Sequence, residues 1–241
     1  MISTESTAGQ LFVDKDALLA LENDEPLAYD SPRNLNILAG YTIPVLNYLR
    51  KNETDVVVGS DRSGRLFTTA VNSMWYELFD DEAFPTVDGA AHFAPLSLPP
   101  RERTDDYQAI AGRHLDKIIT PNREVVAKTL GRKSLQLLIV DGIVNNGVTH
   151  KLVSEVLPED DIHFAALWES KTREPFSADV YGADNNLPKI HAGNLATPRN
   201  VGISYSTTGE LLETPTPESE DNYRRLDLAV KRVAQIIRVR E

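Results

Sequence analysis

Apolar residues are distributed along this chain in two textures. Short unbroken runs, several of them β-branched, alternate with longer stretches in which apolar positions recur every three or four residues. TDVVVG (54–59), LQLLIVD (135–141) and DIHFAALWESK (161–171) are runs of the first kind, and AAHFAPLSL (90–98) is a weaker one. Runs with no polar alternation read as strands buried on both faces. NLNILAGYTIPVLNYLRKN (34–52), LFTTAVNSMWYELF (66–79) and VTHKLVSEVL (148–157) carry the helical spacing. Arg50 and Lys51 suit a helix C-terminus, and Pro44 reads as a kink or as the helix's true start.

The middle of the chain therefore reads β-α-β-loop-β-α-β. This predicts an α/β fold with a mostly parallel central sheet and helices on both faces. We read one domain over 1–241, with an N-terminal extension over 1–36 that holds a short helix in DALLALEND. The polar segment from Pro99 to Lys133 reads as part helix and part mobile loop, since a loop of this length in a compact domain is often a functional lid. Residues 172–212, rich in Pro, Gly and Asn, read as a small irregular hood. A C-terminal helix is expected over 216–241, with Thr216 as N-cap, Pro217 at N1 and acids in the first turn. Its apolar stripe of Leu226, Val230, Val233 and Ile237 packs on the same domain or on a dimer partner.

Composition narrows the function classes. A net charge of −11 argues against a broad nucleic-acid-binding face, which needs clustered Lys and Arg. The absence of cysteine removes disulfides, thiolate metal sites and a cysteine nucleophile. No apolar run is long enough to span a bilayer and the acidic N-terminus lacks a signal layout, so a cytoplasmic protein with no membrane partner is expected. The five histidines are scattered; His92, His114, His163 and His191 show no partner pattern, and His150 reads as a partly exposed structural residue. Trp168 reads as core and Asp61 as a surface turn.

Two polar turns follow strands at the sheet edge where ligands of open parallel sheets sit: SDRSGR (60–65) and DGIVNNGVTH (141–150). Both hold glycine and both lead into a helix, whose first N–H groups can meet a phosphate. GSDRSGRL (59–66) has two glycines at P-loop spacing, but Arg65 and Leu66 stand where Lys and Ser/Thr are needed for the phosphates and Mg²⁺. A nucleotide hydrolase is therefore disfavoured.

The second turn resembles the phosphoribosyl pyrophosphate (PRPP) signature of type I phosphoribosyltransferases: an apolar strand, an acidic pair, then Thr-Gly-x-Thr/Ser at a helix start. Asp141 matches the first acid, Gly147 and Thr149 match the phosphate loop, and Asn146 replaces its first threonine. The resemblance implies that Asp141, Asn145, Asn146, Gly147, Val148 and Thr149 hold the ribose 5-phosphate. It also implies that Arg62, Ser63, Gly64 and Arg65 hold the pyrophosphate, and that Asp141 and Arg65 are catalytic. Lys171, followed by SADVYG (177–182), is similar to the base-contacting entry of the 6-oxopurine group. The implied ligands are PRPP and a purine-like base. The implied cofactor is Mg²⁺ carried mainly by the pyrophosphate rather than by protein side chains, and the implied assembly is a homodimer. Gly142 stands where the second acid belongs, and Asn145 stands where 6-oxopurine enzymes carry an aspartate. These departures keep a second reading open, the same fold as a catalytically inactive PRPP- or nucleotide-binding or regulatory protein.

Overall fold

The computed structural model describes residues 10–14, 16, 32–60, 64–79, 82–96, 107–144, 148–169, 180–181, 203–205 and 211–240. Its centre is the pair of apolar runs that end in a polar residue. VVVGS forms β2 (Val56–Ser60), buried along its whole length, and QLLIVDGIV forms β4 (Gln136–Val144). They join β3 (Ala91–Ala94), β5 (Asp161–Glu169) and the two-residue β6 (Val180–Tyr181) in a sheet of order β3-β2-β4-β5-β6. Every pairing in it is parallel.

Strand alternation sends Val57, Leu138, Val140 and Ala165 into one core, with Leu46, Met74, Trp75 and Val230. These last four belong to α1 (Pro32–Lys51), α2 (Arg65–Leu78) and α5 (Pro217–Ile236). Val56, Val58, Leu137, Ile139 and Phe164 enter a second core, with Ala111 and Leu115 of α3 (Tyr107–Leu130) and Val153 of α4 (Val148–Val156). Helices on both faces explain why Val56–Val58 of β2 and Leu137–Val140 of β4 are apolar throughout: neither face meets water there. The expected α/β architecture with a parallel sheet is what forms.

Three boundaries differ from expectation. The helix around Pro44 starts earlier, at Pro32, and runs through the proline. The Pro99–Lys133 segment is mostly helix rather than loop. Tyr107, Ala111, Leu115 and Ile119 recur every four residues and Asn122 and Val126 continue the buried stripe, so α3 keeps its packing despite the hydrogen bond lost at Pro121. Residues 97–106 lie outside the described residues. The third correction is at the C-terminus. The capping box forms, with Ser219 N donating to Thr216 Oγ1 (3.1 Å) and Thr216 N to Ser219 Oγ (2.9 Å). The helix, however, ends at Ile236. Ile237–Arg240 is a strand, β9, antiparallel to β1 (Gln10–Val13). Asn47 of α1 grips β1 as a strand would, accepting from Leu11 N (2.8 Å) and donating to Leu11 O (3.1 Å).

Within the segment read as the hood, Val180–Tyr181 adds to the main sheet beside Ala165 and Ala166. Ile203–Tyr205 (β7) and Leu211–Glu213 (β8) pair antiparallel. The rest of that segment, like the helix expected in DALLALEND beyond Asp16, lies outside the described residues. Among the described residues no helix is long and apolar enough to cross a membrane.

The amino edge of the sheet is pinned by two buried carboxylates. Asp55 accepts from Gln136 N (2.7 Å) and from Arg132. Asp160 accepts from Leu135 N (2.9 Å) and from Arg123. Charge-assisted bonds of this kind fix where β4 enters the sheet, and with it what β4 delivers at its far end.

Candidate functional site

After β2 the chain moves outward to β3, then returns to the other side of β2 to make β4. The crevice between the carboxyl ends of β2 and β4 is thus the point where the winding reverses, the position at which open α/β sheets take ligands. Gly59 pairs with Val140 across these strands, so the next residues, Ser60 and Asp141, are neighbours. Parity places both on the α3/α4 face, in line with Val58 and Ile139.

Ser60 Oγ donates to Asp141 Oδ1 at 2.7 Å, and Gly142 N donates to the same oxygen at 2.7 Å. Thr149 Oγ1, in the first turn of α4, approaches Asp141 Oδ2 at 3.4 Å. Ser60 is fully buried and Asp141 is 2% exposed. A buried carboxylate needs donors, and here they come from the end of β2, its own strand and the start of α4.

Gly64 closes the crevice from the other side. Its N–H donates to Ser60 O at 2.9 Å. A Cβ on it would lie 2.3 Å from Val140 O and 2.7 Å from both Ser60 O and Ser60 Oγ. Only glycine lets the start of α2 approach both strands so closely. Gly64 is also the N-cap residue and supplies no side-chain cap to the first turn. One residue before Ser60, Gly59 meets a similar constraint. A Cβ there would lie 2.4 Å from Thr68 Oγ1 and 3.0 Å from the Phe93 ring.

No protein-family model matches this chain, and no curated protein matches it.

The residues picked out by sequence divide by position. Asp141, Thr149 and Gly64 converge on the crevice, and Val148 opens α4 beside it. Arg65 begins α2, but its guanidinium lies over the Phe93 ring, 4.2 Å from the centroid, on the β3 side of β2; Asp141 is on the β4 side. Leu66, which takes the hydroxyl position of a P-loop, packs against Tyr223 and Leu226, so α2 turns an apolar side chain there into the α5 contact. His150 stacks at 4.7 Å on Phe164, the structural role expected of it. Arg62, Ser63, Asn145, Asn146, Gly147 and Lys171, together with Asp61 and the Trp168 side chain, lie outside the described residues.

Ser60 is the residue that sequence reading missed. In sequence it reads as the first residue of a polar turn, yet it is the last residue of a buried strand. The signal was present. VVVGS and LLIVD are both apolar runs closed by one polar residue, and parallel strands in register bring such endings side by side.

Proposed function

We propose that the chain is a phosphoribosyltransferase of the type I kind, moving a 5-phosphoribosyl group between PRPP and a nitrogenous base, with a purine-like base favoured. The observation that carries this reading is the convergence of Asp141, Thr149 and Gly64 between the ends of β2 and β4. The acid of the PRPP-like motif and the threonine of its phosphate loop meet at the sheet's reversal point, opposite the glycine turn assigned to pyrophosphate.

In this reading the 145–149 turn and the start of α4 bind the ribose 5-phosphate through N–H groups and hydroxyls. Asp141 orients the turn, and the 62–65 turn receives the pyrophosphate. Positive charge at the anomeric carbon develops as the C1–O bond to pyrophosphate breaks, and the base nitrogen forms the new bond. Holding both ends of PRPP in line is the chain's main contribution.

Among the described residues no group of three or more His, Cys, Asp or Glu is placed to hold a metal ion. Among the described residues the carboxylate at the crevice is Asp141, an oxygen donor of the kind Mg²⁺ takes. A single carboxylate suits an ion carried on a pyrophosphate. Bound there, Mg²⁺ would neutralise charge on the leaving pyrophosphate.

A second reading, a PRPP- or nucleotide-binding protein without turnover, is favoured by Gly142, which supplies no second acid, and by the burial of Asp141. Titration calorimetry with PRPP and Mg²⁺, followed by a turnover screen over free purines and pyrimidines, tests both. Binding with release of pyrophosphate on one base supports transfer. Binding without turnover on any base supports the second reading. Absence of binding removes both.

A further inference from the structure

We infer that Ser60 is the positioning residue of this site: through Asp141 it holds Thr149 at the start of α4 against Gly64 at the start of α2. The second half of its test rests on the phosphoribosyl reading, and the first half does not.

Ser60 is an unexpected side chain where it stands. The other four positions of β2 are Val56, Val57, Val58 and Gly59, and the strand is buried throughout. A hydroxyl taken out of water in such a strand is unfavourable unless it is hydrogen-bonded. Its bond is a charge-assisted one, 2.7 Å to Asp141 Oδ1. The same residue's carbonyl accepts from Gly64 N at 2.9 Å. One residue thus touches Gly64 at the start of α2 through its backbone and, through its side chain and Asp141, Thr149 at the start of α4. Asp141 in turn reaches Thr149 in α4.

This chain of contacts separates two jobs. The backbone bond to Gly64 survives any substitution of Ser60. The side-chain bond to Asp141 does not. Removing the hydroxyl therefore leaves Gly64 seated and takes a donor from the carboxylate that meets Thr149 of α4. The prediction is a local loosening on one side of the crevice, not a general loss of stability.

The first arm is hydrogen exchange on the full chain without ligand. Ser60→Ala should speed exchange over residues 140–152 and leave α3, residues 107–130, unchanged. Ser60→Cys keeps the shape and nearly all donor strength is lost, so it should follow Ser60→Ala rather than the parent. The second arm is calorimetry with PRPP and Mg²⁺ well below the melting temperature. Ser60→Ala should weaken binding roughly ten- to a hundredfold, the scale of one hydrogen bond to a charged group. It should weaken binding no further in an Asp141→Ala background.

Unchanged exchange over 140–152, or a rise spread equally over 107–130, overturns the inference. So does a parent-like PRPP affinity in Ser60→Ala, or an Ser60→Cys variant that behaves as the parent. If the parent itself fails to bind PRPP, the phosphoribosyl reading falls, and the exchange arm alone still decides the role of Ser60.

Discussion

Asp55 and Arg132 are joined through both carboxylate oxygens, Arg132 Nη2 donating to Oδ1 at 3.0 Å and Nη1 to Oδ2 at 3.2 Å. Oδ2 also accepts from Gln136 N at 2.7 Å. The pair stands at the edge of the sheet opposite the crevice and fixes the spacing of β2 and β4 where both strands begin.

Arg132→Ala should destabilise the protein by about 2–4 kcal/mol, because it leaves a buried carboxylate with a backbone donor but no countercharge. The value sits below that of a fully buried pair, since the Arg132 side chain is 30% exposed. Urea denaturation checks it. A midpoint equal to that of the parent would show that Gln136 N alone compensates Asp55.

Gly64→Ala should be worse for ligand binding than for folding. The added methyl meets Val140 O, a backbone atom that cannot rotate away, so the start of α2 must move outward. Overpacking of this kind costs about 1–3 kcal/mol. The helix N-terminus is also withdrawn from the crevice, so on the proposed phosphoribosyl reading PRPP affinity should fall by more than the stability change accounts for. Parallel melts and calorimetry separate the two, and a folded Gly64→Ala variant with parent affinity would remove the 62–65 turn from the binding site.

Thr68→Val should act in the opposite direction. Thr68 is fully buried against Gly59, and its Oγ1 has no hydrogen-bond partner among the described residues. Valine has nearly the same shape and no hydroxyl to leave unpaired, so stability should rise by about 1 kcal/mol. Thermal denaturation reads this directly; a loss of stability would mean that the hydroxyl is satisfied in solution, by water for example.

The strands that build the crevice were legible because burial on both faces leaves unbroken apolar runs, as in TDVVVG and LQLLIVD. The start of α5 was legible because its signals are local: Thr216, Pro217 and the following acids sit next to one another in sequence. Its end was not. Ile237 continues the helical stripe of Leu226, Val230 and Val233, so periodicity carries the helix onward, and only the distant pairing with β1 turns Ile237–Arg240 into a strand. The length of α3 was obscured by the many polar and charged residues between Pro99 and Lys133, which read as part loop, although the stripe of Leu115, Ile119 and Val126 is buried and carries the helix through Pro121. At the site, Asp141 and Thr149 could be found from spacing within one turn. Ser60 could be found only by asking which residue of another strand lies in register with Asp141, a question of pairing rather than of motif.

The β1–β9 ribbon joins Gln10 to Arg240, nearly the full span of the chain. Closing so long a loop carries a large entropic cost, offset by a few backbone bonds and by the burial of Leu11 and Ile237 in the core they share with Val57 and Leu138. In the order of folding this contact should come late, after the sheet has already formed around β2 and β4, and in unfolding it should open first. Asn47 supports this contact. By presenting an amide to Leu11 from an already folded α1, it gives β1 a docking edge before β9 arrives. The ribbon is then the closing side of the core that backs β2 and β4, so the two ends of the chain and the crevice strands share one apolar interior.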